Sequence, residues 1–90
     1  MAKWTVARHR DVVAYLVTGD LAINAERKAI RAAIESLESG VPDDAHFMRT
    51  DDATGLPMYR WLEARHWVHF IVNEQDQWIR VLRIESATVE

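Results

Sequence analysis

The sequence contains no cysteine, and its 90 residues include only three glycines and two prolines. Without cysteine, the chain has neither a disulfide nor a thiolate metal site. It has no run of about 18 apolar residues, so we expect no transmembrane helix, and its first residues lack the apolar core of a signal peptide. These absences predict a cytoplasmic protein with no membrane partner. The length suits a single domain over residues 1–90.

An excess of positive charge is also absent, because the formal net charge is −3. Four acids and one base lie within residues 41–55, so this segment alone carries −3 and the rest of the chain is neutral. Proteins that bind nucleic acid mainly through phosphates are usually basic overall. The composition excludes a strong global positive field and leaves a local basic patch open.

Glycine and proline are missing after Pro57, where Val, Ile, Phe, Tyr and Trp recur. This composition predicts three consecutive antiparallel strands within Pro57–Glu85. A break at Ala64-Arg65 separates the first two strands, and a turn within Asn73–Asp76 separates the last two. We therefore predict a three-stranded meander as the centre of the domain.

Pairing across the second turn divides the last two strands into two faces. A two- or four-residue loop within Asn73–Asp76 places His69 opposite Arg80 and Phe70 opposite Ile79. One face is then apolar and suits packing under helices: Val68, Phe70, Val72, Ile79 and Val81. The other face mixes aromatic and charged side chains, and we predict that it binds the partner: Trp67, His69, Ile71, Trp78, Arg80 and Leu82.

The first half of the chain predicts a short strand and a helical hairpin. Lys3–Ala7 suits the strand, and apolar residues spaced for one helix face begin at Val12, although VVAYLV alone also suits a strand. Gly19 and Asp20 fit a helix end and the next N-cap. A 3.6-residue apolar period predicts the second helix over Leu21–Ser39, ended by Gly40 and Pro42, with a short strand possible at Ala45–Arg49. The predicted fold class is α+β, with the helices on one face of the sheet.

The four histidines do not predict a metal site. His66 and His69 lie three apart on a predicted strand and point to opposite faces. His9 and His46 belong to no ligand-like spacing. The sequence has no nucleophile motif and no glycine-rich phosphate loop, so no cofactor is predicted.

A set of cationic side chains on the predicted strands is more informative: Arg60, Arg65, His69, Arg80 and Arg83. Such groups can orient a phosphodiester and offset charge in its transition state, while histidine moves a proton. Trp67 and Trp78 could stack on bases. The alternative is that the tryptophans form a protein interface and that the arginines pair with acids at Glu63, Glu74, Asp76 and Glu85. The residues alone leave both interpretations open.

The order of a strand, a helical hairpin and a meander resembles the RelE/ParE superfamily of toxins from bacterial type II toxin–antitoxin systems. Three segments carry the resemblance: Ala29–Leu37 (AIRAAIESL), Glu63–Phe70 (EARHWVHF) and Arg80–Ile84 (RVLRI). Ala64 stands where ParE-type members have glycine. The resemblance implies a cognate antitoxin that wraps as helix plus strand and buries Trp67, Ile71, Trp78 and Leu82.

The two branches of the superfamily imply different activities. ParE-type members bind DNA gyrase, whereas RelE-type members cleave messenger RNA in the ribosome with several basic residues and usually a C-terminal Arg and Tyr. Here the residues after Ile84 (ESATVE) include neither, and no lysine follows Lys28. We therefore favour a ParE-like toxin that acts by protein binding.

Two alternatives remain at the level of sequence. One is a ribosome-dependent endoribonuclease that uses Arg60, Arg65, His69 and Arg80. The other is a non-toxic orphan of the fold that serves as an interaction module. The four tryptophans also suit an aromatic patch that closes a homodimer.

Overall fold

The fold consists of one strand, two helices and four further strands, in a computed structural model that describes residues 3–18 and 24–87. The elements are β1 (Thr5–Arg8), α1 (Arg10–Thr18), α2 (Asn24–Ser36) with a 3-10 turn at Leu37–Ser39, β2 (His46–Thr50), β3 (Pro57–Glu63), β4 (His66–Asn73) and β5 (Trp78–Ser86). This order confirms the predicted α+β class, the N-terminal strand and the three strands after Pro57.

The five strands form one mixed sheet in the order β1-β5-β4-β3-β2. β2 to β5 are antiparallel neighbours, and β1 pairs in parallel with β5. The predicted three-stranded meander is therefore too small. The segment predicted as a short strand at Ala45–Arg49 joins the sheet as β2, and β1 completes the opposite edge.

Both helices lie on one face of the sheet, where α1 contacts β5 and α2 contacts β3. Val12 and Leu16 of α1, with Ile30 and Ile34 of α2, are buried there. They meet the predicted apolar face, which is confirmed: Val68, Phe70, Val72, Ile79 and Val81 are each at most 1% exposed. Full burial of such a side chain stabilises the fold by roughly 1.5–3 kcal/mol, so the contact between this face and the helices is central to the core.

Specific polar contacts set the helix ends. His9 caps α1, because its carbonyl oxygen accepts the Val12 N–H at 2.9 Å and its Nδ1 accepts the Asp11 N–H at 3.1 Å. Gly40 ends the second helical segment at φ +111°, as predicted, and its N–H donates to the Leu37 carbonyl at 2.9 Å. The predicted caps at Gly19 and Asp20 lie outside the described residues.

The register between β4 and β5 differs from the prediction. Ile71 lies opposite Arg80, and a four-residue loop, Glu74–Gln77, connects the strands. This loop is one residue later than predicted, because the Asn73 side chain accepts the Asp76 N–H at 2.9 Å and Gln77 takes the left-handed conformation at φ +54°. The shift moves the β5 partner of each β4 residue by two positions, for example from Trp78 to Arg80 opposite Ile71. An even shift leaves each side chain on its predicted face.

A β-bulge at Leu82 changes the rest of this ladder. Val81 lies opposite Phe70, but His69 lies opposite Arg83, so Leu82 has no cross-strand partner. The predicted pairing of His69 with Arg80 is therefore wrong. A bulge adds one residue to one strand and reverses the alternation beyond it. As a result, Arg83 lies on the face away from the helices and Ile84 enters the core.

Candidate functional site

The sheet face away from α1 and α2, called the open face here, carries a line of basic side chains. The strand register places His46 opposite Arg60, Arg60 opposite His69, and His69 opposite Arg83. We call these four residues the basic row. At about 4.8 Å between neighbouring strands, the row spans about 14 Å across four strands. His46, Arg60 and Arg83 are exposed, whereas the His69 side chain is only 8% exposed.

One carboxylate joins two members of the basic row. Glu85 Oε1 lies 2.8 Å from His69 Nε2, and Glu85 Oε2 accepts a hydrogen bond from Arg83 Nη2 at 2.9 Å. The contact satisfies the buried His69 Nε2 and offsets the charge of Arg83 locally. Because the Leu82 bulge turns both Arg83 and Glu85 to the open face, the bulge assembles this network.

A cavity of about 420 Å³ lies beside the basic row at the β2 edge of the sheet. We call it the Trp67 cavity, and its lining residues are His46, Phe47, Met48, Arg60 and Trp67. The Arg60 guanidinium carbon stands 4.4 Å from the centre of the Trp67 ring, a cation–π geometry. Phe47 and Met48 are exposed apolar side chains, at 60% and 39%.

The predicted partner-binding residues have unequal exposure. Trp67, Trp78 and Leu82 are half-buried, and Arg80 is exposed with its guanidinium 5.6 Å from the Trp78 ring. Ile71 is only 1% exposed, opposite the buried Met58. Ile71 and Met58 lie outside the helix-side core cluster, so they form a small buried apolar pair on the open side of the sheet.

Arg65 does not join the other predicted basic residues. It occupies the two-residue turn between β3 and β4, where Ala64 and Arg65 have φ of +48° and +63°. Its side chain is 82% exposed, and Nη1 lies 4.0 Å from Glu26 Oε2. His66 is buried, with Nδ1 2.7 Å from the Ala64 carbonyl oxygen.

The arginines only partly form the acid pairs that the alternative interpretation requires. Arg83 pairs with Glu85 as expected, but Arg65 lies near Glu26 instead. Within residues 3–18 and 24–87, no carboxylate lies at salt-bridge distance from Arg60 or Arg80, and both stack on tryptophan rings. The open face therefore presents positive charge that the neighbouring acids leave uncompensated.

Sequence reasoning missed His46 as a site residue. It lies 14 positions before Arg60, and only the β2–β3 pairing brings the two side chains together. The mixed composition of HFMRT gave a weak strand signal, although alternation with exposed Phe47 hints at an edge strand. Among the described residues, no group of three or more His, Asp or Glu side chains is arranged to hold a metal ion. No helix in the described part of the chain is long and apolar enough to cross a membrane.

A mixed five-stranded sheet of this order, with two helices on one face, is the RelE/ParE toxin fold. The solved structures similar to it are of RelE proteins rather than ParE proteins. The archaeal RelE–RelB complex from Pyrococcus horikoshii has a TM-score of 0.76 at 21% identity, over 98% of this chain and 99% of that chain.

Two bacterial structures are also similar. The isolated E. coli RelE toxin has a TM-score of 0.64 at 11% identity, over 97% of this chain and 87% of that chain. The toxin–antitoxin complex RelBE2 of Mycobacterium tuberculosis gives 0.62 at 16% identity, over 98% and 97%. No protein-family model and no curated protein matches the sequence. At identities this low, the structural similarity establishes the fold and no more than the fold.

Proposed function

We propose that this protein is the toxin of a type II toxin–antitoxin pair and that it acts on messenger RNA, as RelE-type endoribonucleases do. The observation that carries the proposal is the basic row across the open face. The similar solved structures are of RelE proteins, which favours RNA cleavage over gyrase binding. This choice reverses the preference drawn from the sequence.

The basic row offers the groups that cleavage of a phosphodiester needs. Exposed Arg60 and Arg83 can bind phosphate oxygens and offset the charge that develops on them in the transition state. His46 is the exposed imidazole of the row and can move a proton. His69 is buried against Glu85, so its role in this proposal is to hold the Glu85–Arg83 pair in place.

Inducible expression in a bacterial host tests the activity, with nascent protein and DNA labelled separately. We expect rapid loss of protein synthesis. The variants His46→Ala and Arg60→Ala should restore growth, since general acid–base catalysis typically contributes about 10²–10⁴-fold and one group that stabilises charge in the transition state about 10²–10³-fold. Arg31→Ala, on the exposed side of α2, is the matched control and should stay toxic. Unimpaired growth with soluble wild-type protein would contradict the proposal.

Gyrase binding is the second candidate function, and the net charge of −3 favours it, because a protein target needs no positive field. The same labelling experiment separates the two functions. Arrest of DNA synthesis with a damage response, while protein synthesis continues, would favour the gyrase alternative.

The proposal includes a cognate antitoxin as the physiological partner. Two of the similar structures are toxin–antitoxin complexes, and the open face exposes part of Trp67 and Trp78, a residue type that is common in protein interfaces. We expect the product of an adjacent gene to restore growth when it is co-expressed. Trp78→Ala should weaken that rescue, whereas rescue that is unchanged by this variant would place the antitoxin elsewhere.

A further inference from the structure

We propose that the Trp67 cavity is a stacking subsite for one unpaired RNA base whose phosphates lie along the basic row. This inference rests on the proposed function and adds a specific substrate contact to it. The occupant is defined by its chemistry: a planar nucleobase that carries a flanking phosphodiester.

The stacked pair of Arg60 and Trp67 provides the platform. The guanidinium lies 4.4 Å from the ring centre, so the ring restrains its orientation, and both side chains line the cavity. Unpaired RNA bases stack on aromatic rings and on arginine planes. Every base has such a face, so the platform accepts bases with little sequence preference.

The other walls suit the same occupant. Met48 supplies exposed apolar surface from β2, whereas the Phe47 ring packs edge-on against Tyr59 with 5.9 Å between the ring centroids. A volume of about 420 Å³ lies in the range of small-molecule pockets, roughly 300–1,000 Å³. Apolar walls beside a planar cation match a base better than they match a charged peptide side chain.

The cavity is continuous with the basic row, because Arg60 and His46 belong to both. A base that stacks on Arg60 keeps its ribose and phosphate at the open face, near the neighbouring strands that carry His69 and Arg83. The Arg60 side chain would thus contact the base and lie next to the phosphate site. This continuity favours a nucleotide over an isolated aromatic residue of a protein partner.

A pair of matched probes tests the subsite by fluorescence anisotropy. One is an oligomer of eight 2′-O-methyl adenosines, which resists cleavage, and the other has the same backbone without bases. We expect the wild-type protein to bind the adenosine oligomer about tenfold more tightly, a ratio within the usual range for base–aromatic stacking.

Two variants should remove this preference. Trp67→Leu removes the ring, and Arg60→Lys keeps the charge but loses the planar group. Each should bring the ratio of affinities for the two oligomers close to one. Trp67→Phe keeps an aromatic face and should retain most of the preference, which separates stacking from loss of folding. Arg31→Lys is the matched surface control and should leave the ratio unchanged.

Failure of this inference is distinguishable from failure of the proposed function. A wild-type ratio near one, or no binding of either oligomer, overturns the subsite. If protein synthesis still stops on expression, the proposed function survives that result, and if it continues, both are wrong. If Trp67→Leu and Arg60→Lys lose antitoxin binding but keep the preference for the adenosine oligomer, the cavity binds the antitoxin rather than a base. That result also overturns the inference.

Discussion

At the scale of single residues, Glu85 contacts two members of the basic row, His69 and Arg83. Its side chain is 43% exposed, yet it satisfies a nitrogen of His69, which is almost fully buried. It also holds Arg83 at 2.9 Å. A buried polar atom that loses its partner costs more than the bond itself contributes, because its desolvation is no longer offset. Glu85 is therefore expected to matter for stability as well as for the shape of the basic row.

We predict that Glu85→Ala lowers the free energy of unfolding by about 1–2 kcal/mol, because His69 Nε2 loses its acceptor. Urea unfolding measures the change. Glu85→Gln keeps an acceptor oxygen and should lose less. The control is Glu35→Ala on the exposed side of α2, which should change stability by no more than about 0.5 kcal/mol. Equal stability of Glu85→Ala and this control would show that the network does not hold the strands.

At the scale of elements, the β3–β4 hairpin carries a local conflict between sequence and conformation. Its turn has two residues between Glu63 and His66, and both take positive φ. This geometry matches a type I′ turn, for which Asn-Gly is the preferred pair. Ala64 and Arg65 occupy it instead, and a non-glycine residue in the left-handed region costs about 1–2 kcal/mol.

We predict that Arg65→Gly stabilises the protein by about 0.5–1 kcal/mol, the relief of left-handed strain less the greater flexibility of glycine in the unfolded chain. The exposed pair with Glu26, at 4.0 Å, contributes little to offset this. Arg31→Gly in the middle of α2 is the matched control and should destabilise by about 1 kcal/mol. Thermal unfolding of both variants measures the difference, and a loss of stability at Arg65 would contradict the turn assignment.

The sequence predicted the faces of the sheet better than its register. Alternation alone assigned Val68 and Phe70 to the core and Trp67 to the open face, because these assignments depend only on period two. The pairing of His69 required the loop length and the Leu82 bulge, which appears in the sequence as a three-residue spacing between the core residues Val81 and Ile84 that strict alternation does not anticipate. The basic row was not predicted, because it depends on the pairing of His69 with Arg83 beyond the bulge.

At the scale of the whole molecule, positive charge is local rather than general. The net charge is −3, whereas four arginines lie on the open face by their strand register: Arg49, Arg60, Arg80 and Arg83. Glu85 offsets one of these charges. Binding of an RNA strand should then release few counterions, because only about three phosphates are neutralised.

We predict a slope of about −2 for the logarithm of the RNA association constant against the logarithm of salt concentration, from about 0.7 per neutralised phosphate on a single strand. Anisotropy titrations of the adenosine oligomer at several salt concentrations measure it. Arg80→Ala, which removes an arginine without a salt-bridged carboxylate among the described residues, should make the slope shallower, and Arg31→Ala should leave it unchanged. A slope near −6 would mean that surfaces beyond the open face bind the strand.

The parallel pairing of β1 with β5 joins segments that are more than 70 residues apart, Thr5 with Trp78 and Arg8 with Val81. During synthesis, β1 therefore has no strand to bind until β5 has left the ribosome. Arg83 also lies on β5, so the basic row stays incomplete until β5 has been synthesised. The proposed activity therefore requires β5, the last strand of the sheet to be synthesised, to pair with both β1 and β4.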